Sequence, residues 1–144
     1  MAEVLLERTY TLAELPIVAN EVLQAAGAHR VLCLKGELGA GKTTLVKAML
    51  QAMGYAGTSG SPSFGLIHVY ETPQGLVHHA DLYRLKGPEE LETLGLDELL
   101  NSGQWCWIEW AEVAEALLPD DALQVELKIV GAEARLLRMY PIFE

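Results

Sequence analysis

The chain has 144 residues, 51% of them hydrophobic and 21% charged, a composition that predicts one globular domain and excludes a disordered or coiled-coil protein. Twenty acidic and ten basic side chains give a formal net charge of -10, which disfavours direct binding of DNA or RNA. With no basic and apolar leader at the start and no run of about 18 apolar residues, we expect a cytoplasmic protein outside the membrane.

Two strand-and-helix units open the chain. Residues 4–10 alternate weakly between apolar and polar side chains, and residues 11–14 spell a capping box, which predicts a helix that continues to Ala26. Gly27 ends that helix, and the short apolar run at residues 31–34 is typical of a strand covered on both faces. A second helix is predicted over residues 42–53, immediately after a glycine-rich segment.

The second half of the chain predicts hairpins and short helices. Residues 88–100 carry leucines at helical spacing among acidic side chains; the leucines either pack on the sheet, which we favour, or form a docking face. The other predicted elements are a loop at 58–62, strands at 64–70 and 76–80 joined through 72–75, a strand at 105–108, a helix at 112–118 and a closing hairpin of 122–130 and 133–140.

These elements predict one α/β domain over residues 1–144. Its expected architecture has three layers: a sheet with a parallel core and antiparallel hairpin additions, covered by helices on both faces. Cys33 and Cys106 lie in apolar runs, without the spacing of a metal site or a disulfide framework. We therefore expect two buried, reduced thiols.

The glycine-rich segment carries the strongest chemical signal. Residues 36–43 read GELGAGKT, which matches the G-x-x-x-x-G-K-[ST] phosphate loop of P-loop NTPases, between a predicted strand and a predicted helix. Glycines let successive N–H groups surround an anion, Lys42 neutralises terminal phosphates, and Thr43 offers a hydroxyl to Mg²⁺. The predicted phosphate-binding residues are Gly36, Glu37, Leu38, Gly39, Ala40, Gly41, Lys42, Thr43 and Thr44.

Two carboxylates are candidates for the same site. Glu109 ends the apolar run at residues 105–108, and Asp81 ends the predicted strand at 76–80. Since ligands of open α/β sheets lie at the carboxyl ends of the strands, each carboxylate is expected either to hold a Mg²⁺-bound water or to orient the attacking water. A capping or ion-pair role for each remains the alternative.

Other polar residues give weaker signals. Ser61 and Ser63 lie in the predicted loop, where switch loops place hydroxyls that respond to the terminal phosphate. Arg84 either contacts phosphate, holds Asp81 in place or forms a plain surface ion pair. His78 and His79 are adjacent in a predicted strand and face opposite sides of it, which disfavours a joint metal site.

Four blocks of sequence together resemble the TsaE family, also called YjeE. They are GELGAGKTT at 36–44, SPSF at 61–64, HADLYRL at 79–85 and IEW at 108–110, and the resemblance covers residues 9–118. It implies a Mg²⁺-dependent ATPase that supports threonylcarbamoyladenosine modification of tRNA.

The resemblance also implies roles for individual residues. Thr43 and Glu109 would hold Mg²⁺, while Lys42, Asp81 and Glu109 would form the catalytic group. Residues 61–64 would act as the switch loop, although the family usually has threonine where this chain has Ser63.

Adenine and partner contacts follow from the same resemblance. Adenine would lie near Thr9 and Thr11 on the first strand, with Arg135 of the closing hairpin. TsaD and TsaB would be the protein partners and would hold the tRNA, so that tRNA contacts this chain only indirectly. We expect slow ATP hydrolysis by the chain alone and faster hydrolysis in the complex.

Two other classes of P-loop protein are disfavoured. Small-molecule kinases close an arginine-bearing lid over the phosphates, but between Arg30 and Arg135 this chain has only Arg84, and its candidate lid at 88–100 is acidic. A GTP-driven switch would need an Asn-Lys-x-Asp motif, which the sequence lacks. The kinase is the alternative that we retain.

Overall fold

The structure is a computed structural model that describes residues 3–57, 67–83, 85, 89–90 and 95–143. Its strands are β1 (Leu6–Thr11), β2 (Val31–Lys35), β3 (Ile67–Thr72), β4 (Gly75–Asp81), β5 (Trp105–Glu109), β6 (Leu123–Ile129) and β7 (Ala134–Pro141). Its helices include α1 (Leu15–Ala26), α2 (Lys42–Ala52) and α3 (Leu96–Leu100), with 3-10 turns at Leu12–Glu14 and Ala111–Leu117. No helix within the described ranges is long and apolar enough to cross a bilayer.

The strands form one sheet in the order β1-β7-β6-β2-β5-β4-β3. The centre is parallel, since β2 pairs with both β5 and β6, and β4 pairs with β5. The additions are antiparallel: β7 joins β6 to β1 at one edge, and β3 joins β4 at the other. The predicted fold class, with a parallel core and antiparallel hairpin additions, is confirmed.

Helices cover both faces of the sheet because side chains alternate along each strand. Leu32 and Leu34 of β2 pack in the same buried cluster as α1 and α2, whereas Val31 and Cys33 pack with α3 and Ala114 on the other face. The continuous apolar run of the central strand is thus explained by a helix layer on each side.

Local signals set the ends of the first helix. The backbone N–H of Thr11 donates to Glu14 Oε1 at 3.0 Å, as the predicted capping box requires, although a 3-10 turn precedes α1. Gly27 follows α1 with φ 58°, a left-handed conformation that glycine adopts without steric cost. The prediction of a strand followed by a capped helix is confirmed.

Two predicted helices are corrected. The single helix over residues 88–100 is wrong, because Gly95 has φ 70° and α3 begins only after it, at Leu96. Leu96 and Leu100 are buried against the sheet, as the packing interpretation predicted. The helix predicted at 112–118 is a 3-10 helix that begins at Ala111. Predictions for residues 58–66 and for most of residues 84–94 lie outside the described part of the chain.

Both cysteines are buried free thiols, as expected. Cys33 is 1% exposed and Cys106 is 2% exposed. Burial, with a smaller contribution from the negative charge of Glu112, raises the pKa of the Cys33 thiol to about 12, and burial raises the pKa of Cys106 to about 11. Both side chains therefore behave as small apolar core residues.

Candidate nucleotide site

The predicted phosphate loop, residues 36–41, connects β2 to α2 at the carboxyl end of the parallel strands. Gly39 and Gly41 have φ 85° and 99°, in the left-handed region that glycine adopts readily. Gly36 is required for a different reason: a Cβ there would lie 2.9 Å from the carbonyl oxygen of Leu127 on β6. The loop is thus held close to the sheet and leads directly into the N-terminus of α2, where backbone N–H groups favour an anion.

Lys42, the first residue of α2, lies back over this loop. Its Nζ donates to the carbonyl oxygen of Gly36 at 2.7 Å and lies 5.0 Å from the ring centroid of Trp110. The ammonium group is therefore at the mouth of the phosphate loop, where it would pair with a terminal phosphate.

On the β5 and β4 side of the loop lies a cleft of about 650 Å³, which we call the carboxylate cleft. Asp81 and Glu109 are register partners on neighbouring parallel strands, and both reach this cleft together with Thr43. The residues that line it are Leu38, Gly39, Gly41, Lys42, Thr43, Thr44, Asp81, Tyr83, Glu109 and Trp110. The structure thus brings together the residues predicted to be catalytic and metal-binding.

Glu109 is buried for a charged residue, with 6% exposure. Its Oε2 lies 2.7 Å from Nε2 of His79. Burial alone raises the pKa of the Glu109 carboxyl, but the hydrogen bond and charge of His79 and the charge of Lys42 outweigh it, so the pKa lies below its ordinary value. Glu109 is therefore an ionised carboxylate at neutral pH.

Asp81 is held separately from Glu109. Its Oδ1 accepts a hydrogen bond from the backbone N–H of Tyr83 at 3.1 Å. The Tyr83 ring also contacts the Trp110 ring, with centroids 4.8 Å apart and the ring planes tilted by 51°, although both side chains are substantially exposed. Trp110 has φ 61°, which is rare for a bulky residue and turns the chain sharply after Glu109.

The oxygen donors of the carboxylate cleft suit Mg²⁺. Thr43 supplies a hydroxyl, and Asp81 and Glu109 supply carboxylates, all hard ligands of the kind that Mg²⁺ prefers. Within the described ranges, no group of three or more His, Cys, Asp and Glu residues is close enough to form a protein-only metal site. This donor set fits an ion that is held by a few protein oxygens together with phosphate and water.

On the other side of the phosphate loop is a cleft of about 580 Å³, which we call the hairpin cleft. Arg135 of β7 lines it and donates to the carbonyl oxygen of Gly39 at 3.3 Å. Thr11 also lines it, but Thr9, two residues earlier on β1, does not. The residues that line this cleft are Tyr10, Thr11, Leu12, Ala13, Leu15, Gly39, Ala40, Gly41, Thr44, Ala132, Glu133 and Arg135.

The structure adds one contact that the sequence does not predict, and three predicted residues lie outside the described part of the chain. The sequence assigns His79 no role in the site, yet its side chain contacts Glu109 on the next strand. The spacing His79-x-Asp81 places both side chains on one strand face, but the contact with Glu109 depends on β4 lying next to β5. The predicted switch residues Ser61 and Ser63, and Arg84, lie outside the described residues.

Comparison with known proteins gives a consistent result. A family model described as "Threonylcarbamoyl adenosine biosynthesis protein TsaE" matches residues 9–137. The chain is 43% identical to the TsaE protein of Haemophilus influenzae over 65% of this chain and 60% of that protein. It is 41% identical to the TsaE protein of Rickettsia bellii over 75% of each.

A solved structure matches nearly the whole chain. The crystal structure of YdiB from Bacillus subtilis superimposes with a TM-score of 0.76 and 31% sequence identity. The match covers 99% of this chain and 88% of YdiB. The alignment therefore extends over the residues of all seven strands of this chain.

Proposed function

The chain belongs to the TsaE family, and from this premise we propose that it is a Mg²⁺-dependent ATPase that supports threonylcarbamoyladenosine modification of tRNA. The observation that carries the proposal is the carboxylate cleft, where a phosphate loop, Lys42 and two strand-end carboxylates converge. A glycine-rich turn with only a structural role would not need Glu109, an ionised carboxylate, in a nearly buried position at its mouth.

In the proposed reaction, the backbone N–H groups of residues 36–41 and the N-terminus of α2 bind the phosphates. Lys42 exchanges the Gly36 carbonyl for a terminal phosphate oxygen, which neutralises charge on the transferred group. Asp81, held through one oxygen by the Tyr83 N–H, uses its other oxygen to orient the attacking water.

Thr43 and Glu109 are the residues that would hold Mg²⁺. When bound, the ion would neutralise charge that develops on the phosphate oxygens. The contribution of this chain is to present a hydroxyl and an ionised carboxylate at the same cleft, with Glu109 already restrained by His79.

The hairpin cleft is the proposed adenine site. It adjoins the phosphate loop through Gly39 and Gly41 and combines apolar side chains such as Leu12 with Arg135. An apolar pocket with a few polar groups is what a nucleobase needs. Thr11 and Arg135 are therefore the proposed adenine contacts. Thr9 lies outside the cleft, which favours Thr11 over Thr9.

We further propose TsaD and TsaB as protein partners and tRNA as an indirect one. The net charge of -10 opposes direct tRNA binding.

Among the described residues that line the carboxylate cleft, Lys42 is the only cation. Because a further cation on the terminal phosphate raises turnover strongly, by about a thousandfold or more in related chemistry, hydrolysis should be slow alone and faster with partners.

The test is Mg²⁺-dependent ATP hydrolysis by the purified chain, alone and with TsaB and TsaD loaded with tRNA. Glu109→Ala should abolish turnover, whereas Glu115→Ala, at an exposed acidic residue of the following 3-10 helix, should not change it. Stimulation by the partners supports the proposal. Phosphorylation of a small metabolite, with no response to the partners, would replace it with the kinase alternative.

A further inference from the structure

His79 forms a short hydrogen bond with Glu109, a carboxylate that lines the carboxylate cleft. The distance from Nε2 of His79 to Oε2 of Glu109 is 2.7 Å. The two side chains are only 12% and 8% exposed, so water competes weakly for this hydrogen bond. The contact is therefore a fixed feature of the site, unlike an exposed surface ion pair.

The direction of this hydrogen bond follows from the chemistry of its partners. An ionised carboxylate only accepts hydrogen bonds, so Nε2 of His79 carries the proton and donates it. Oε2 of Glu109 thereby has a donor, and the Glu109 residue lines the carboxylate cleft.

The position of His79 in the sheet makes it suited to this task. His79 is the register partner of Trp107, two residues before Glu109, so the hydrogen bond runs diagonally across the β4–β5 pair. Asp81, the direct register partner of Glu109, is held by a different donor, the N–H of Tyr83. Each of two neighbouring carboxylates thus has its own donor, which keeps them in separate orientations.

We propose that His79 is a positioning residue, which orients the Glu109 carboxylate so that its free oxygen serves the metal and phosphate end of the cleft. The inference rests on the proposed function. Partners that orient a metal ligand in this way change activity or metal affinity by about 10- to 100-fold when they are lost.

A matched control lies on the adjacent strand. His68 is the register partner of His79 on β3, and both line a third cleft of about 750 Å³ beside α2. Only His79 of this pair bonds to Glu109. The same substitution therefore removes an imidazole from the third cleft at either position, but only at His79 does it release Glu109.

The variants are His79→Leu, His79→Asn, His79→Gln and His68→Leu. A glutamine amide places a donor near the position of the histidine Nε2, whereas the shorter asparagine amide lies near the position of Nδ1 and falls short of Glu109. We expect kcat for Mg-ATP to fall about 10- to 100-fold in His79→Leu and His79→Asn. His79→Gln should stay within about threefold and His68→Leu within about twofold of the wild-type rate.

A binding measurement separates this inference from the proposed function. The ratio of ADP affinities with and without Mg²⁺ should fall about 10-fold or more in His79→Leu and His79→Asn, while Mg²⁺-free affinity stays within about twofold. In a Glu109→Ala background, His79→Leu should change that ratio by less than about twofold, because the carboxylate to be oriented is gone.

The outcomes are distinct. If the wild-type chain binds nucleotide but hydrolyses none, the proposed ATPase fails and the Mg²⁺-linked ratio still decides the role of His79. The inference is overturned if kcat of His79→Gln is as low as that of His79→Leu. It is also overturned if His79→Leu lowers Mg²⁺-free ADP affinity by the same factor as kcat and lowers the melting temperature as well, because His79 is then a structural residue.

Discussion

The two clefts on either side of the phosphate loop differ in what builds them. The carboxylate cleft is formed at the ends of the parallel strands β4 and β5 and contains the ionised Glu109. The hairpin cleft is formed by the antiparallel strands β1 and β7 and by the turn that leads into α1. We therefore propose that the parallel centre carries the chemistry and that the antiparallel edge sets nucleotide affinity. Gly39, Gly41 and Thr44 line both clefts.

The largest expected effect lies in the carboxylate cleft. Glu109→Gln keeps the size of the side chain but removes its charge, and we expect kcat to fall about 100-fold or more. Mg²⁺-free ADP affinity should change less than about twofold, since the hairpin cleft is untouched. Steady-state kinetics and a fluorescent-nucleotide titration measure both quantities, with Glu115→Gln as the control. A parallel loss of affinity would contradict the division between the clefts.

A substitution beneath the shared loop should disturb both clefts at once. The Cβ of Gly36→Ala would lie 2.9 Å from the Leu127 carbonyl oxygen and 3.1 Å from the Ala40 Cβ, so the loop must move. We expect about 1–3 kcal/mol less stability, roughly tenfold weaker ADP binding and slower turnover. Gly131→Ala is the control, because its Cβ would lie 3.6 Å from the nearest atom, the Ala134 Cβ. The free energy of unfolding, measured with denaturant, and the ADP affinity should both be unchanged in this variant.

A smaller effect is expected at the edge of the hairpin cleft. Arg135→Ala removes the 3.3 Å hydrogen bond to Gly39, and we expect ADP affinity to fall about fivefold while kcat stays within about twofold. Arg138→Ala, three residues along β7, loses a 3.0 Å ion pair with Glu7 and should leave ADP affinity unchanged. Isothermal titration calorimetry distinguishes the two; equal losses would mean that general charge, rather than the cleft, sets affinity.

The smallest effect concerns an exposed apolar residue. Leu12 is 73% exposed and lines the hairpin cleft, so it stabilises the fold little but is available to a nucleobase. Leu12→Ala should weaken ADP binding about two- to threefold and shift the free energy of unfolding by less than about 0.5 kcal/mol. Ile17→Ala, at a residue of α1 that is 57% exposed, is the control and should leave binding unchanged.

How much of the molecule the sequence predicts depends on whether the signal is local in the chain. The strand, loop and helix at residues 31–52 lie where the sequence predicts them, because a long motif, an apolar strand and capping signals are all local in the chain. The break at Gly95 was missed because leucines at helical spacing continue across it, and only the left-handed backbone of that glycine reveals the boundary.

The missed contact in the site is of a different kind. The pairing of His79 with Glu109 joins residues 30 positions apart and depends on β4 lying next to β5, an order that local patterns do not specify. Likewise, the resemblance implies both Thr9 and Thr11 as adenine contacts, but only Thr11 lines the cleft beside β1 and β7. Strand order therefore decides which of the candidate residues meet.

The most direct test of the account measures single-turnover ATP hydrolysis and Mg²⁺-free ADP affinity on the same preparations of wild type, Glu109→Gln and Arg135→Ala. We predict a crossed pattern, in which Glu109→Gln slows hydrolysis with nearly normal affinity and Arg135→Ala weakens affinity with nearly normal hydrolysis. If each variant changes both quantities by similar factors, the two clefts act as one site and the proposed division is wrong.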